Sequence, residues 1–96
     1  MTLVQEKRQV TLYIHSKSPL SIGAVKVVRK ISREKSFKAK YRLAVIEIDK
    51  KIELAEKNKI LATPALIIET NNIEKRIIGN LSDLASIYRE LSITGE

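Results

Sequence analysis

Apolar and polar positions alternate from Gln9 to His15, with Val10, Leu12 and Ile14 on one side and Thr11, Tyr13 and His15 on the other. A period of two with β-branched residues predicts a strand. In the loop Ser16-Lys17-Ser18-Pro19, Ser18 is placed to cap a helix and Pro19 suits its first position. The period then becomes helical. Ala24, Val27, Val28 and Ile31 share a face by the i, i+3, i+4, i+7 rule, and Lys26, Arg29, Lys30 and Arg33 fall opposite them. Ser36 to Lys40 reads as a charged connection. Tyr41 to Ile48 predicts a second strand, whose apolar run from Leu43 to Ile46 suggests burial on both faces in the middle of a parallel sheet. Strand, helix and strand make a βαβ unit, so these two strands should run parallel.

The second half is more punctuated. Asp49 is placed to cap a short helix from Lys50 to about Lys59, which turns Leu54, Ala55 and Leu61 inward on a thin apolar face. Thr63-Pro64 interrupts the pattern before a third strand, Ala65-Leu66-Ile67-Ile68, because proline lacks a donor and restricts the residue before it. Thr70-Asn71-Asn72 predicts a β-hairpin turn, since asparagine tolerates left-handed backbone. Lys75 to Ile78 is the returning strand and Gly79 ends it. Asn80 or Ser82 caps a last helix with the apolar stripe Leu81, Leu84, Ile87, Tyr88 and Leu91. The order βαβαββα predicts one four-stranded mixed sheet covered by helices, an α/β fold in a single domain, 1–96, with 1–8 and 93–96 loose.

Composition narrows the chemistry. The chain of 96 residues is 44% hydrophobic and 30% charged, a globular balance. Its aromatics are Tyr13, Phe37, Tyr41 and Tyr88, so the core must be aliphatic. No apolar run approaches the ~20 residues that span a membrane. No signal-peptide pattern opens the chain either, which predicts a cytoplasmic protein. The absence of cysteine excludes disulfides, a thiolate nucleophile, iron–sulfur clusters and Cys-type zinc sites. His15 is the one histidine and reads as a structural residue at a strand end. Glu47 with Asp49, and Glu53 with Glu56, are carboxylate pairs without a histidine or cysteine nearby in sequence. No enzyme activity, metal or cofactor is expected.

The net charge of +7 is uneven: residues 1–50 hold 12 Lys and Arg against 4 Asp and Glu, and residues 51–96 hold 6 against 7. The excess between Lys26 and Arg42 fits a nucleic-acid face or a surface for an acidic protein, while the helical spacing also accounts for it as a solvated face. A nucleic-acid reading lacks a Gly-rich phosphate loop and an aromatic platform.

A βαβ unit followed by X-Pro at the head of a hairpin and a closing helix is similar to the thioredoxin-like plan. Where redox members of that fold carry Cys-x-x-Cys, this chain has Ser18-Pro19-Leu20-Ser21. Serine forms no disulfide, so thiol–disulfide exchange is excluded there. More specifically, Lys59-Ile60-Leu61-Ala62-Thr63-Pro64-Ala65-Leu66 and Arg76-Ile77-Ile78-Gly79-Asn80-Leu81-Ser82-Asp83 resemble, at the right separation, the signature of the KaiB family. The similarity runs from about Val10 to Leu91 and includes Leu12-Tyr13-Ile14 before the Ser-Pro turn.

The resemblance implies a non-catalytic, protein-binding regulator that docks on the hexameric ATPase KaiC in clocks and clock-like stress systems. It implies that Lys59 contacts an acidic patch on the ATPase; the plainer role of Lys59 is to offset a helix dipole. It implies a cis-proline at Pro64, with Thr63, Pro64 and Gly79 in the part of the chain that changes fold. Asp83 either stabilises the start of the last helix or contacts the partner. Family members also adopt a ground-state fold, βαββααβ, with a rearranged C-terminal half that self-associates as a homodimer or homotetramer. This chain departs from the family pattern at Thr70-Asn71-Asn72-Ile73, at Asn80 and across Glu90 to Gly95. Such divergence leaves an adaptor for a different protein as the alternative, with a basic nucleic-acid-binding domain as a further one.

Overall fold

β1 (Arg8–Ile14) and β3 (Ala65–Thr70) form the centre of a four-stranded sheet ordered β2-β1-β3-β4, in which β2 is Tyr41–Glu47 and β4 is Ile73–Ile78. The structure is a computed structural model, and it describes residues 7–70 and 73–93. β1 and β2 pair in parallel from Arg8↔Tyr41 to Ile14↔Glu47. β3 runs antiparallel to β1, with Leu12 opposite Leu66, and β4 runs antiparallel to β3. The helices are α1 (Pro19–Ser32), α2 (Lys35–Lys40), α3 (Ile52–Lys57) and α4 (Leu84–Leu91). This is the thioredoxin-like α/β order with one extra short helix, and the C-terminal half runs β3, β4, α4 rather than as in the ground-state fold.

The alternation along β1 sorts its side chains between two clusters. Val10, Leu12 and Ile14 join Ala24, Val28 and Ile31 of α1, Leu66 and Ile68 of β3, and Ile87 and Leu91 of α4. On the other face Tyr13, Ala65 and Ile67 form a smaller cluster, with Ile46, Ile48 and Ile60 packed against it. α1 begins as its sequence dictates: Ser18 accepts from the Ser21 N–H and Pro19 opens the helix.

Several expectations are corrected. Ser36 to Lys40 is not a connection but most of α2, where Phe37 is buried and its ring lies 5.4 Å from that of Tyr41. β2 lies at the sheet edge, not in its middle, and its residues from Leu43 onward are half-buried although they touch both clusters. Asp49 does not cap α3, whose N-cap is Lys51 without a side-chain bond. Of the residues expected inward there, Ala55 is buried, Leu54 is exposed and Leu61 is 95% exposed. α4 is capped by neither Asn80 nor Ser82 but by Asp83, which accepts from the Ser86 N–H at 3.2 Å. Arg8 is not loose, since it starts β1, and Ile93 packs against the main core. The hairpin residues 71 and 72 and the ends 1–6 and 94–96 lie outside the described residues.

Candidate docking site

α3 ends in a Schellman motif. The Ile60 N–H donates to the Ala55 carbonyl at 2.9 Å and the Lys59 N–H to that of Glu56 at 3.2 Å. The motif needs a left-handed residue, and Lys59 takes that role with φ 54. The turn sends Ile60 back onto the smaller cluster and leaves Leu61 almost wholly in solvent. Arg76 of β4 secures it from the side: Nη1 donates to the Lys59 carbonyl at 3.1 Å and Nη2 to that of Asn58 at 2.9 Å. These carbonyls carry the partial negative charge of a helix end, which a guanidinium fork suits. Arg76 Nε also pairs with Glu74 at 2.8 Å.

The opposite wall comes from the loops after β1 and β2. Asp49 accepts from the Ser16 N–H at 3.1 Å and from the Ser16 hydroxyl at 2.5 Å. These bonds hold the Asp49 carboxyl down to about 2, from an ordinary 3.8. His15 ties the turn after β1 together: its backbone N–H donates to Ser21 Oγ at 3.1 Å and its Nδ1 accepts from the Lys17 N–H at 3.2 Å. Ser21 is fully buried, and Ser18 and Ser21 together organise the start of α1 where a redox protein would hold its thiols. Between the walls lies a cavity of about 580 Å³ with a largely apolar lining from Ile48, Ala55 and Ile60, edged by Ile52, Lys59 and Leu61.

Thr63, Pro64 and Gly79 come together where β3 starts and β4 ends. The Thr63-Pro64 bond is cis, Pro64 is fully buried, and the Gly79 N–H donates to the Pro64 carbonyl at 3.0 Å. Gly79 has φ +98, a conformation that L side chains rarely adopt. Lys59 stands on the same connection, a few residues before them. Asp83 does not join this group. Its carboxylate is engaged with Ser86, which lowers its pKa, and among the described residues no hydrogen bond or ion pair links it to Lys59. Arg76, Ile52 and the outward Leu61 carry no local signal of a site role; alternation along β4 places Arg76 on the face opposite Ile77. Among the described residues no group of three His, Cys, Asp or Glu could hold a metal ion, and no helix is long and apolar enough to cross a membrane.

Comparisons with known proteins identify the family and the fold. Residues 11–93 match the model of the KaiB domain. A circadian clock oscillator protein KaiB from Prochlorococcus marinus (strain MIT 9211) is 43% identical over 88 residues, which cover 84% of this chain and 76% of the relative. Another, from Thermosynechococcus vestitus, is 40% identical over 85 residues, covering 88% of this chain and 78% of the relative. Among solved structures, the N-terminal domain of Synechococcus elongatus SasA superposes with a TM-score of 0.73 at 20% identity, over 95% of this chain and 85% of that one. Mitochondrial thioredoxin 3 of Saccharomyces cerevisiae gives 0.74 at 12% identity, over 92% and 79%, a likeness of fold alone. With a family model spanning nearly all of the described residues and relatives above 40% identity, the chain belongs to the KaiB family of circadian clock proteins.

Proposed function

We propose that this chain is a non-catalytic regulator that docks on a KaiC-type ATPase through the α3–β3 connection, in a clock or clock-like system of the cytoplasm. Lys59 supplies the charged contact with an acidic patch, and Leu61 and Ile52 supply the apolar one. The observation that carries the reading is Leu61, 95% exposed on a loop whose backbone Arg76 and the Schellman bonds hold in place. An aliphatic side chain presented on ordered backbone loses little entropy on burial, which suits it as an interface anchor. Its family relatives, named as circadian clock oscillator proteins, support a role in a clock; the KaiC-type partner is what the family resemblance implies.

The test mixes the protein with the KaiC-type ATPase of the same genome and ATP, and follows size-exclusion chromatography with light scattering after minutes and after a day. A complex is expected, weakened about tenfold or more in Lys59→Glu and in Leu61→Ser. Slow formation would mean that another fold or a self-associated dimer or tetramer must first convert. No complex under any nucleotide condition would overturn the reading in favour of an adaptor for a different protein. Asp83, engaged at the start of α4, is the second candidate contact, and Asp83→Asn should weaken the complex less than Lys59→Glu does.

A further inference from the structure

β2 and β4 close the two edges of the sheet, and the two edges are built differently. β4 carries Glu74, Lys75 and Arg76, all exposed, and such charges are how a strand edge resists pairing with another chain. β2 has no such defence. It pairs with β1 without a bulge, from Arg8↔Tyr41 to Ile14↔Glu47. Its charges stand only at Arg42 and Glu47, and Leu43 to Ile46 between them are apolar and half-buried. Among the described residues no strand lies beyond it.

The backbone sets which groups face outward. Just past β2, the Ile48 N–H donates to the Ile14 carbonyl at 2.8 Å, so Arg42, Ala44 and Ile46, in step with it, turn their N–H and C=O toward β1. Tyr41, Leu43, Val45 and Glu47 therefore turn theirs to the open edge. Two of these outward groups are already engaged within the chain. The Tyr41 N–H donates to the Phe37 carbonyl at the end of α2, and the Glu47 carbonyl accepts from the Lys50 N–H at 3.1 Å and the Lys51 N–H at 3.0 Å. What the edge offers is the Tyr41 carbonyl, both backbone groups of Leu43 and of Val45, and the Glu47 N–H.

We infer that this edge binds β2 of a second copy of the chain, antiparallel about a two-fold axis at Ala44, so that two sheets join into one. In that register Leu43 exchanges both backbone bonds with Val45 of the second copy, and the Tyr41 carbonyl accepts from the Glu47 N–H of the second copy. The two engaged groups, the Tyr41 N–H and the Glu47 carbonyl, fall opposite each other, so no free group is left facing an occupied one. An axis at Leu43 or at Val45 would set an engaged group against a free one. The match is between β2 and itself, which selects a second copy over an unrelated segment and makes the contact closed. On one sheet face Leu43 then lies beside Val45 of the second copy, and on the other Ala44 lies beside its counterpart. The C-terminal half keeps its β3, β4, α4 order throughout. The net charge of +7 on each copy opposes the pairing, so salt should favour it.

The test is sedimentation equilibrium of the full chain from about 10 μM to about 1 mM, with amide hydrogen exchange at both ends of that range. A monomer–dimer equilibrium is expected, with the Leu43, Val45 and Glu47 amides exchanging more slowly in the concentrated sample. The Ala44 and Ile46 amides, bonded to β1, and those of the β3–β4 ladder should change least, which separates this dimer from self-association with a rearranged C-terminal half. The dimer should tighten from about 0.1 M to about 1 M salt, as the screening length falls from ~10 Å to ~3 Å. Ala44→Lys and Ala44→Glu each bring like charges together on the axis and should weaken it about tenfold or more. An equimolar mixture of those two variants should pair again. Val45→Pro, which removes an outward donor and leaves the bonds to β1 in place, should weaken it as well. Circular dichroism verifies that each variant is folded. A monomer at every concentration, a dimer that loosens with salt, a dimer that folded Ala44 variants leave intact, or a mixture that stays monomeric would each overturn the proposal.

Discussion

Arg76 donates a hydrogen bond from Nη1 to the carbonyl of Lys59 at 3.1 Å, so a cation on the edge strand β4 holds the residue that closes α3. The second bond, to Asn58 at 2.9 Å, makes the contact two-pronged. Replacing Arg76 by Met keeps most of the aliphatic stem and removes both of these donors together with the Nε–Glu74 pair. Stability should fall by about 1 kcal/mol, because the bonds are charge-assisted but stand at the surface. Arg76→Lys should not restore it, since an ammonium cannot reproduce the planar fork. Urea denaturation measures the loss. Faster hydrogen exchange at the Lys59 and Ile60 amides, with β1 unaffected, would locate it.

Lys59 combines a strained backbone with the proposed partner contact, and one substitution separates the two. A left-handed conformation costs an L residue roughly 1 kcal/mol or more, and glycine avoids that cost while losing more freedom on folding. Lys59→Gly should therefore raise stability by about 0.5 kcal/mol, and Lys59→Ala should not. The same glycine variant should bind the ATPase more weakly than the wild type. A destabilised Lys59→Gly protein would contradict the helix-end geometry.

Asp49 gives stability a defined pH dependence. Its folded-state pKa lies at about 2, below the ordinary 3.8, because the Ser16 hydroxyl and N–H bind the ionised form. The unfolded chain then holds the proton more tightly, so the contribution is complete above the unfolded value and is lost as pH falls through the folded one. Asp49→Asn should be less stable than the wild type at neutral pH, and the two curves should converge as pH falls from about 4 to about 2. Asp83 is shifted in the same direction by Ser86, so the variant keeps a shallower slope of its own.

What could be read from the sequence was local. Ser18, Pro19 and the spacing of Ala24, Val28 and Ile31 specify α1 within one segment, and the structure forms it there. Asp49 reads as a helix cap in the sequence because its partner Ser16 lies 33 residues away and its neighbours offer no other role. The apolar run of β2 reads as a central strand because it touches both clusters. Its edge position follows from β3 docking on the far side of β1, which no pattern within β2 encodes. α2 has one buried anchor, Phe37, so it offers no periodicity to detect. In α3 a helix of six residues is too short for its apolar pattern to separate Ala55 from Leu54. The two motifs, one with Lys59 and Pro64 and the other with Arg76 and Gly79, lie on the connections that build the candidate site. The clamp by Arg76, across 17 residues of sequence, emerged only from tertiary pairing.

Gly79 and Gly23 provide a matched test of backbone conformation against space. A Cβ added at either would meet nothing within 4 Å, so neither substitution causes a clash. They differ in dihedral angle and context. Gly79 has φ +98 and its N–H is held by the Pro64 carbonyl at 3.0 Å, so the chain cannot relax to a negative φ without breaking that bond. Gly23 lies exposed inside α1, where glycine is the poorer residue. Gly79→Ala should therefore destabilise by about 1–2 kcal/mol, with Gly79→Asn costing less because asparagine tolerates positive φ. Gly23→Ala should stabilise by about 0.5–1 kcal/mol. Thermal and urea unfolding of the two alanine variants measure both. Shifts of the same sign would show that the Pro64–Gly79 contact does not hold the backbone as described.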